Sequence, residues 1–156
     1  MDKATILAAL IKELRDDLDA AVKAQRDAAS YATDDESRAR EKYETQSTEP
    51  SYLARGQAAL AEALAEAVDY LESHREAFTS PHQKADIGSL IEVDLGGFKE
   101  WFFLAKQAGG HAVEVDGMEI TLITTEAPLG TALLDKPVGE SFTLPNGANG
   151  KLLTVL

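Results

Sequence analysis

The sequence predicts an α+β fold in which a helical hairpin precedes a small antiparallel-sheet domain with one short helix. Two observations predict this order. The first is a pair of stretches in which mostly apolar residues recur with alternating spacings of four and three, as in helices that pair along a seam. The second is a change of composition near residue 80, after which glycines cluster between short runs of β-branched and aromatic residues.

The first helix is expected from about Lys3 to Ala32, because this stretch lacks glycine and proline and is rich in strong helix formers. Its seam positions are Leu7, Ile11, Leu14, Leu18, Ala21, Gln25, Ala28 and Ala32. Large residues come first along this seam and small ones later. Burial at the start of the helix should therefore contribute most of the stability, about 1.5–3 kcal/mol for each large side chain.

The second helix is expected to begin after Pro50 and Ser51 and to end near Phe78, although it contains Gly56. Its seam positions are Leu53, Gln57, Leu60, Leu64, Ala67, Leu71, His74 and Phe78. The two sets mesh when the chain folds back on itself, so that Leu14 lies opposite Leu71. That is the register of an antiparallel helical hairpin.

These patterns divide the chain into a coiled-coil hairpin over 1–79, a linker over 80–86 and a compact domain over 87–156. We call residues 33–50, between the two predicted helices, the tip. Turns of β-hairpins are expected at Gly96-Gly97 and Asp116-Gly117. The expected strands are Leu90–Leu95, Glu100–Leu104, Ala112–Val115, Glu119–Thr124, Ser141–Leu144 and Leu152–Leu156, with a short helix from Pro128 to Leu134.

The composition restricts the classes of function. A net charge of −12 disfavours direct binding to nucleic-acid phosphates, so nucleic acid should be reached through a protein partner; the charge also serves solubility. Long apolar runs, a signal-peptide pattern and cysteine are all missing, which favours a cytoplasmic protein with no membrane contact and no disulfide. The chain lacks nucleophile, phosphate-loop and dinucleotide motifs, so an enzyme complete in itself is not expected.

Residues 123–140 read ITTEAPLGTALLDKPVGE, and LLTV follows at 152–155. This string resembles the C-terminal signature of the bacterial Gre transcript-cleavage factors. There a strand leads into Ser-Pro, a short run of aliphatic and small residues, Gly-Lys and an acidic turn. Ala127 stands in the place of the usual serine, and Asp135 in that of the usual glycine. The order of a coiled-coil hairpin and a sheet domain extends the resemblance over nearly the whole chain.

The resemblance implies an FKBP-like C-terminal domain that docks on the rim of the secondary channel of bacterial RNA polymerase. The coiled coil would enter this channel, and its tip carboxylates would help to hold a second Mg²⁺ and orient a water. The polymerase would then cleave its own backtracked transcript. Such a protein is not an enzyme by itself. It would be a monomer without a stably bound cofactor, would share Mg²⁺ with the polymerase, and would meet RNA and DNA only there.

The candidate carboxylates at the tip are Asp35, Glu36, Glu41 and Glu44, and we expect Asp35 and Glu41 to hold the shared Mg²⁺. The family has an aspartate three residues before its glutamate, and a tyrosine shortly after. When Tyr43 and Gly56 are aligned with the family, Glu41 takes the glutamate position, but Arg38 takes that of the aspartate. Asp34 or Asp35 would then supply the missing carboxylate. The alternative is that these acids form a solvated turn.

The resemblance also implies partner contacts in both parts of the chain. The docking contacts would be Pro128, Leu129, Gly130 and Leu133. From their place among the tip acids, Arg38, Arg40 and Lys42 are candidates to contact transcript phosphates, and Arg55 is a further candidate of the same kind. Simpler interpretations exist for both sets. The proline is also typical of the first position of a short helix that packs on a sheet. The arginines of the tip also neutralise neighbouring acids.

Three other functions fit parts of the sequence. A Gre-like protein with an altered tip would bind the secondary channel and inhibit or modulate transcription without cleavage. An FKBP-like domain also serves peptidyl-prolyl isomerases and chaperones, although a shared fold is weak support for a shared function. Finally, the helices would also suit a coiled-coil adaptor that pairs with another chain.

Overall fold

The computed structural model describes the backbone of residues 1–42 and 48–156 and the side chains of residues 1–30 and 55–156. The predicted fold class is confirmed, because two long helices precede a six-stranded sheet that carries one short helix. The elements in chain order are α1 (Lys3–Lys42), α2 (Thr48–Ser73), α3 (Arg75–Thr79), β1 (Leu90–Leu95), β2 (Phe98–Ala105), β3 (Ala112–Val115), β4 (Met118–Thr124), α4 (Pro128–Leu133), β5 (Ser141–Thr143) and β6 (Asn149–Val155). In the described residues, none of the helices is long and apolar enough to cross a membrane.

The long helices have different ends from those predicted. The predicted end of α1 near Ala32 is wrong, since the helix continues to Lys42 through residues that include alanine, arginine, glutamate and lysine. Helix α2 begins at Thr48, so Pro50 lies in its first turn, where a missing N–H costs no intrahelical hydrogen bond.

Helix α2 ends at Ser73, and the predicted continuous helix to Phe78 is wrong. His74 leaves the helical conformation with φ −108° and ψ 21°, and the separate helix α3 follows it. The imidazole Nδ1 lies 2.9 Å from the carbonyl oxygen of Tyr70, one turn back. His74 is exposed, so it is not a seam residue as predicted. Phe78, by contrast, is fully buried.

Contacts divide the chain into two compact units, Leu14–Val68 and the combination of Met1–Glu13 with Asp69–Leu156. The boundaries between them fall inside α1 and α2. The start of α1 and the end of α2 therefore pack with the sheet. The ranges 1–79, 80–86 and 87–156 stay a prediction about the organisation of the sequence.

In the unit Leu14–Val68, small and aliphatic side chains are buried along one side of each helix. In α1 the buried positions include Leu14, Ala21 and Ala28, as the sequence predicts. In α2 the seam differs by one position, because Leu60 is 48% exposed and the neighbouring Ala61 is buried. Among the described side chains of α2, including those past this unit, the buried positions are Ala61, Leu64, Ala67, Val68, Tyr70 and Leu71. A helix of 3.6 residues per turn drifts against a seven-residue repeat, which accounts for a shift of this size.

The sheet belongs to the other unit and has the strand order β3-β4-β2-β1-β6-β5. All neighbouring strands are antiparallel except β2 and β4, which are parallel because the hairpin β3–β4 places β4 beside β2. Both predicted hairpin turns are present, between β1 and β2 and between β3 and β4. Their central residues all have positive φ, from 52° at Asp116 to 94° at Gly97.

The central strands are buried on both faces. On one face, α4 covers an apolar cluster made of Ala85, Ile91, Val93, Phe102, Leu104, Leu133, Phe142 and Leu152. On the other face, the Phe103 ring lies 5.5 Å from that of Phe78, between centroids. Phe102 and Phe103 point to opposite faces, as successive strand residues do, and both are buried. This explains the uninterrupted apolar run at the end of β2.

The first turn of α1 is held by two neighbouring residues. Asp2 caps the helix by accepting hydrogen bonds from Thr5 Oγ1 at 2.5 Å and the Ala4 backbone N–H at 3.2 Å, and these bonds lower the pKa of its carboxyl. Lys3 is only 7% exposed. Its Nζ donates to the carbonyl oxygens of Ser80 at 2.5 Å and Leu156 at 3.1 Å. Burial lowers the pKa of Lys3 to about 8.

Replacing Lys3 by methionine should remove a pH dependence of folding stability. The folded pKa of Lys3 lies below its unfolded value of 10.5, so the unfolded chain binds more protons between these two values. The free energy of unfolding of the unmodified protein should therefore rise as the pH passes from about 8 to 10.5. Relative to Lys3→Met, the gain should reach at most about 3 kcal/mol, measured by urea unfolding across this range. Parallel pH profiles of the two proteins would contradict this account of Lys3.

Candidate functional site

The segment that carries the family resemblance folds as β4, the short helix α4 and a turn. Pro128 occupies the start of α4, and the preceding Ala127 is extended, with φ −64° and ψ 149°. Since Ala127 has no hydroxyl, the helix lacks a side-chain cap at this position. The Thr131 hydroxyl donates instead to the carbonyl oxygen of Thr125 at 2.8 Å, and the Thr131 N–H donates to that of Ala127 at the same distance.

Gly130 determines how closely α4 approaches the sheet. A Cβ at this position would overlap the backbone carbonyl oxygen of Thr124, at the end of β4. Gly130 and Leu133 are buried, while Pro128 is exposed and Leu129 is half-buried. Of the four predicted docking residues, Pro128 and Leu129 are therefore accessible. Gly130 and Leu133 hold the helix in place beneath them.

The turn after α4 is paired with the residues that follow α3. The Ala85 N–H donates to the Lys136 carbonyl at 2.9 Å, and the Asp135 N–H donates to the Ala85 carbonyl at 2.8 Å. Lys84 Nζ donates to Asp135 Oδ1 at 2.5 Å, and this bond raises the pKa of Lys84. Asp135 has φ +66°, in the left-handed region that glycine prefers and aspartate tolerates. Asp135 is therefore tolerated in this turn.

An open cleft of about 790 Å³ lies between α4, the turn of the β1–β2 hairpin and strands β5 and β6. Its lining includes two lysines, Lys136 and Lys151, and one carboxylate, Asp94. Lys136 forms an ion pair with Glu140 at 3.9 Å. The other residues that line the cleft are Gly96, Thr131, Ala132, Ser141, Phe142, Thr143, Asn149 and Gly150. Among the described residues the lining is therefore mostly polar, and Phe142 is its one aromatic side chain.

The predicted tip residues lie where side chains are not described. Asp35, Glu36 and Glu41 fall within the range of α1, as do Arg38 and Arg40, but their side chains are outside the described part of the chain. Glu44 lies outside the described residues altogether. Arg55, in α2, is exposed.

Magnesium prefers oxygen ligands, and the carboxylates of Asp35 and Glu41 have this donor chemistry. Their assignment as ligands of a shared Mg²⁺ stays a prediction. Within the described residues, no group of three or more histidine, aspartate or glutamate side chains is arranged to hold a metal ion.

Two side chains of the sheet unit were not singled out from the sequence. Lys3 looks like an ordinary exposed lysine at the start of a helix, and its burial depends on Ser80 and Leu156, which lie 77 and 153 positions away in the chain. Phe98 directly follows the turn glycines of the β1–β2 hairpin and is 73% exposed. The Gly-Gly-Phe order could have indicated an aromatic side chain at a hairpin tip.

Comparisons with known proteins identify no family by sequence, since neither a protein-family model nor a curated protein matches the chain. Three solved structures are similar to this chain. GreA factor homolog 1 (Gfh1) of Thermus thermophilus is 17% identical over 95% of both chains, and Thermus aquaticus Gfh1 is 18% identical over 95% of this chain and 94% of that chain. Another structure of the transcription factor Gfh1 is 19% identical over 94% of this chain and 93% of that chain. Each has a TM-score of 0.36. Similarity at this level is too low to carry an argument about function.

Replacing Gly130 by alanine should destabilise the sheet unit by about 3 kcal/mol, because the added methyl group has to displace a strand backbone. Gly56→Ala is the matched control. A Cβ at Gly56 meets no other atom within 4 Å, and alanine should stabilise this exposed helical position by about 1 kcal/mol. Thermal and urea unfolding of both variants measure the difference. Equal effects of the two substitutions would show that α4 does not need this close approach.

Proposed function

We propose that this chain is a Gre-like transcription factor that binds RNA polymerase at the rim of its secondary channel. In this proposal the tip carboxylates promote the polymerase's own Mg²⁺-dependent cleavage of backtracked RNA. The observation that carries the proposal is the segment 123–140. Its sequence resembles the family signature, and it folds as a short helix that leaves Pro128 and Leu129 accessible above the buried Gly130 and Leu133.

The two departures from the family signature are compatible with the same proposal. Ala127 removes a side-chain cap, but backbone and Thr131 hydrogen bonds still hold α4. Asp135 adopts the left-handed conformation for which the family uses glycine. The local geometry that the signature encodes is therefore compatible with both replacements.

The proposed chemistry needs few groups from this chain. Cleavage of a phosphodiester with two metal ions requires oxygen ligands for a hard cation and a positioned water, and the polymerase supplies the rest of the site. Asp35, Glu36, Glu41 and Glu44 are the side chains that we propose for this role, with Asp35 and Glu41 on the shared Mg²⁺. Arg38, Arg40 and Arg55 would lie near transcript phosphates. The charge of −12 fits contact with nucleic acid inside a partner better than direct binding.

A second candidate function keeps the partner and changes the outcome. Arg38 occupies the place of the family's aspartate, and an arginine cannot serve as a Mg²⁺ ligand. A tip changed in this way would occupy the channel and slow transcription without promoting cleavage.

Transcript cleavage in a backtracked elongation complex from the same organism tests the proposal. Adding the unmodified protein should accelerate Mg²⁺-dependent shortening of the RNA. Alanine at Asp35, Glu36, Glu41 and Glu44 together should reduce this acceleration at least about tenfold, because metal-site groups are lost. The control variant carries alanine at four exposed acids of the described part of α1, Glu13, Asp17, Asp19 and Asp27, and should stay fully active.

The same reactions separate the two candidate functions. Slower RNA synthesis without added cleavage would contradict the cleavage function and support inhibition. A protein that neither binds the polymerase nor changes its products would contradict both. Equal cleavage by the unmodified protein and by the variant without the four tip acids would show that the tip mechanism is wrong.

A further inference from the structure

We propose that an exposed part of the sheet, on strands β2, β3 and β4, binds a lysine or arginine side chain of the protein partner. An exposed phenylalanine ring would cover the aliphatic stem of this side chain, and three neighbouring glutamates would hold its charged end. The inference rests on the proposed function for the identity of the partner, RNA polymerase. It adds a specific contact on strands that the proposed docking at α4 does not use.

Four exposed side chains share one face at this end of the sheet, and we call them the acidic sheet face: Phe98, Glu100, Glu114 and Glu119. Glu114 and Glu119 are directly paired between β3 and β4, so their side chains point to the same face. The parallel pairing of β2 and β4 begins at Trp101 and Ile120, which makes the preceding residues, Glu100 and Glu119, neighbours as well. Phe98 lies two residues before Glu100 in β2 and therefore shares its face.

The negative charge of the acidic sheet face is not balanced within the described part of the chain. The ion pairs recorded there are Arg75–Glu72, Lys84–Asp135 and Lys136–Glu140, and none of them involves the three glutamates. The neighbouring Lys99 belongs to the opposite face, because successive strand residues alternate. Like charges directly opposite each other on paired strands destabilise a sheet. A cation from a partner would remove this repulsion.

A second cleft, of about 490 Å³, opens beside two of the glutamates. It is lined by Glu100 and Glu119, together with Lys99, Trp101, Phe102, Gly117, Met118 and Thr121. Its position follows from the register, since β2 and β4 are not paired before Trp101 and Ile120. The cleft therefore gives a long side chain access to the carboxylates of neighbouring strands.

The combination of an exposed ring and carboxylates selects a long cationic side chain. Lysine and arginine pack their aliphatic stems on apolar surface while the charged end stays polar, and a cation is also attracted to the face of an aromatic ring. Phe98 is 73% exposed and follows an ordered turn, in which the Gly97 N–H donates to Asp94 Oδ1 at 2.7 Å. An anchor held in this way loses little conformational entropy on binding.

The same charges disfavour other occupants. Three carboxylates repel the phosphates of nucleic acid. They also repel a second copy of this chain, whose net charge is −12. A basic segment of the protein partner is therefore the occupant to which the inference commits.

Equilibrium binding to purified core RNA polymerase tests the inference with three single variants. Glu119→Lys should weaken binding about tenfold, and the loss should shrink as the salt concentration rises. Phe98→Ser should also weaken binding about tenfold, as expected for an aromatic anchor, with little dependence on salt. Asp69→Lys is the matched control. It makes the same change of charge at an exposed position of α2 in the same compact unit, and should change binding less than about twofold.

Thermal unfolding of the free proteins gives a second readout of opposite sign. Glu119→Lys converts the like-charge pair with Glu114 into a pair of opposite charges, so the midpoint should rise by about 2 °C. A variant that is more stable alone but binds the polymerase less tightly has lost a contact and not its fold. A lowered midpoint would contradict the repulsion on which the inference depends.

The outcomes distinguish this inference from the function on which it rests. If the unmodified protein does not bind the polymerase, both are wrong. If it binds, and Pro128→Ser weakens binding while Phe98→Ser and Glu119→Lys do not, docking at α4 stands and the acidic sheet face is not a contact. Sedimentation of the same proteins tests the remaining occupant. A dimer that Phe98→Ser dissociates, with unchanged polymerase binding, would assign the face to a second copy of the chain and overturn the inference.

Discussion

The fully buried ring of Phe78 packs against Phe103 of the central strand β2, and this contact joins α3 to the sheet. Tyr70 adds an edge-on contact with Phe78 at 6.0 Å between centroids, and its hydroxyl oxygen accepts a hydrogen bond from the Lys106 N–H at 2.8 Å. Lys3 completes the arrangement, with Nζ 5.9 Å from the centre of the Phe103 ring. Together these contacts cover the face of the sheet opposite α4, which explains why Met1–Glu13 and the end of α2 pack in one unit with the strands.

The side chains of Tyr70 and Phe78 pack on the Phe103 face of the sheet, and one short helix packs on the other face. Helix α4 has only six residues, so Gly130 has to bring it into backbone contact with β4 before Leu133 reaches the core. A helix of this length covers only part of a six-stranded sheet. The accessible Pro128 and Leu129 on α4 and the uncovered Phe98 on β2 are consistent with this partial coverage.

The sequence predicts local features well and long-range contacts poorly. Strands β1 and β3 have the predicted ends, because alternating apolar residues and glycine turns are local signals. The predicted end of α1 is wrong because the sequence after Ala32 contains no strong stop signal. The predicted seam is wrong at Leu60 and His74 because a helix of 3.6 residues per turn does not keep a strict seven-residue repeat on one side. The burial of Lys3 depends on Ser80 and Leu156, and the role of Gly130 depends on the Thr124 carbonyl. Neither contact leaves a pattern in the sequence.

In the proposed function, residues 33–50 would reach the catalytic metal of the polymerase while the sheet unit would remain outside. Localised hydroxyl-radical cleavage measures this directly. Fe²⁺ is placed at the catalytic Mg²⁺ site of the polymerase, and the positions at which this chain is cut are mapped by end-labelling. If the proposed function is correct, the cuts should be confined to 33–50 and abolished by excess Mg²⁺. A bound protein that is cut instead within the sheet, or that is not cut at all, would contradict it.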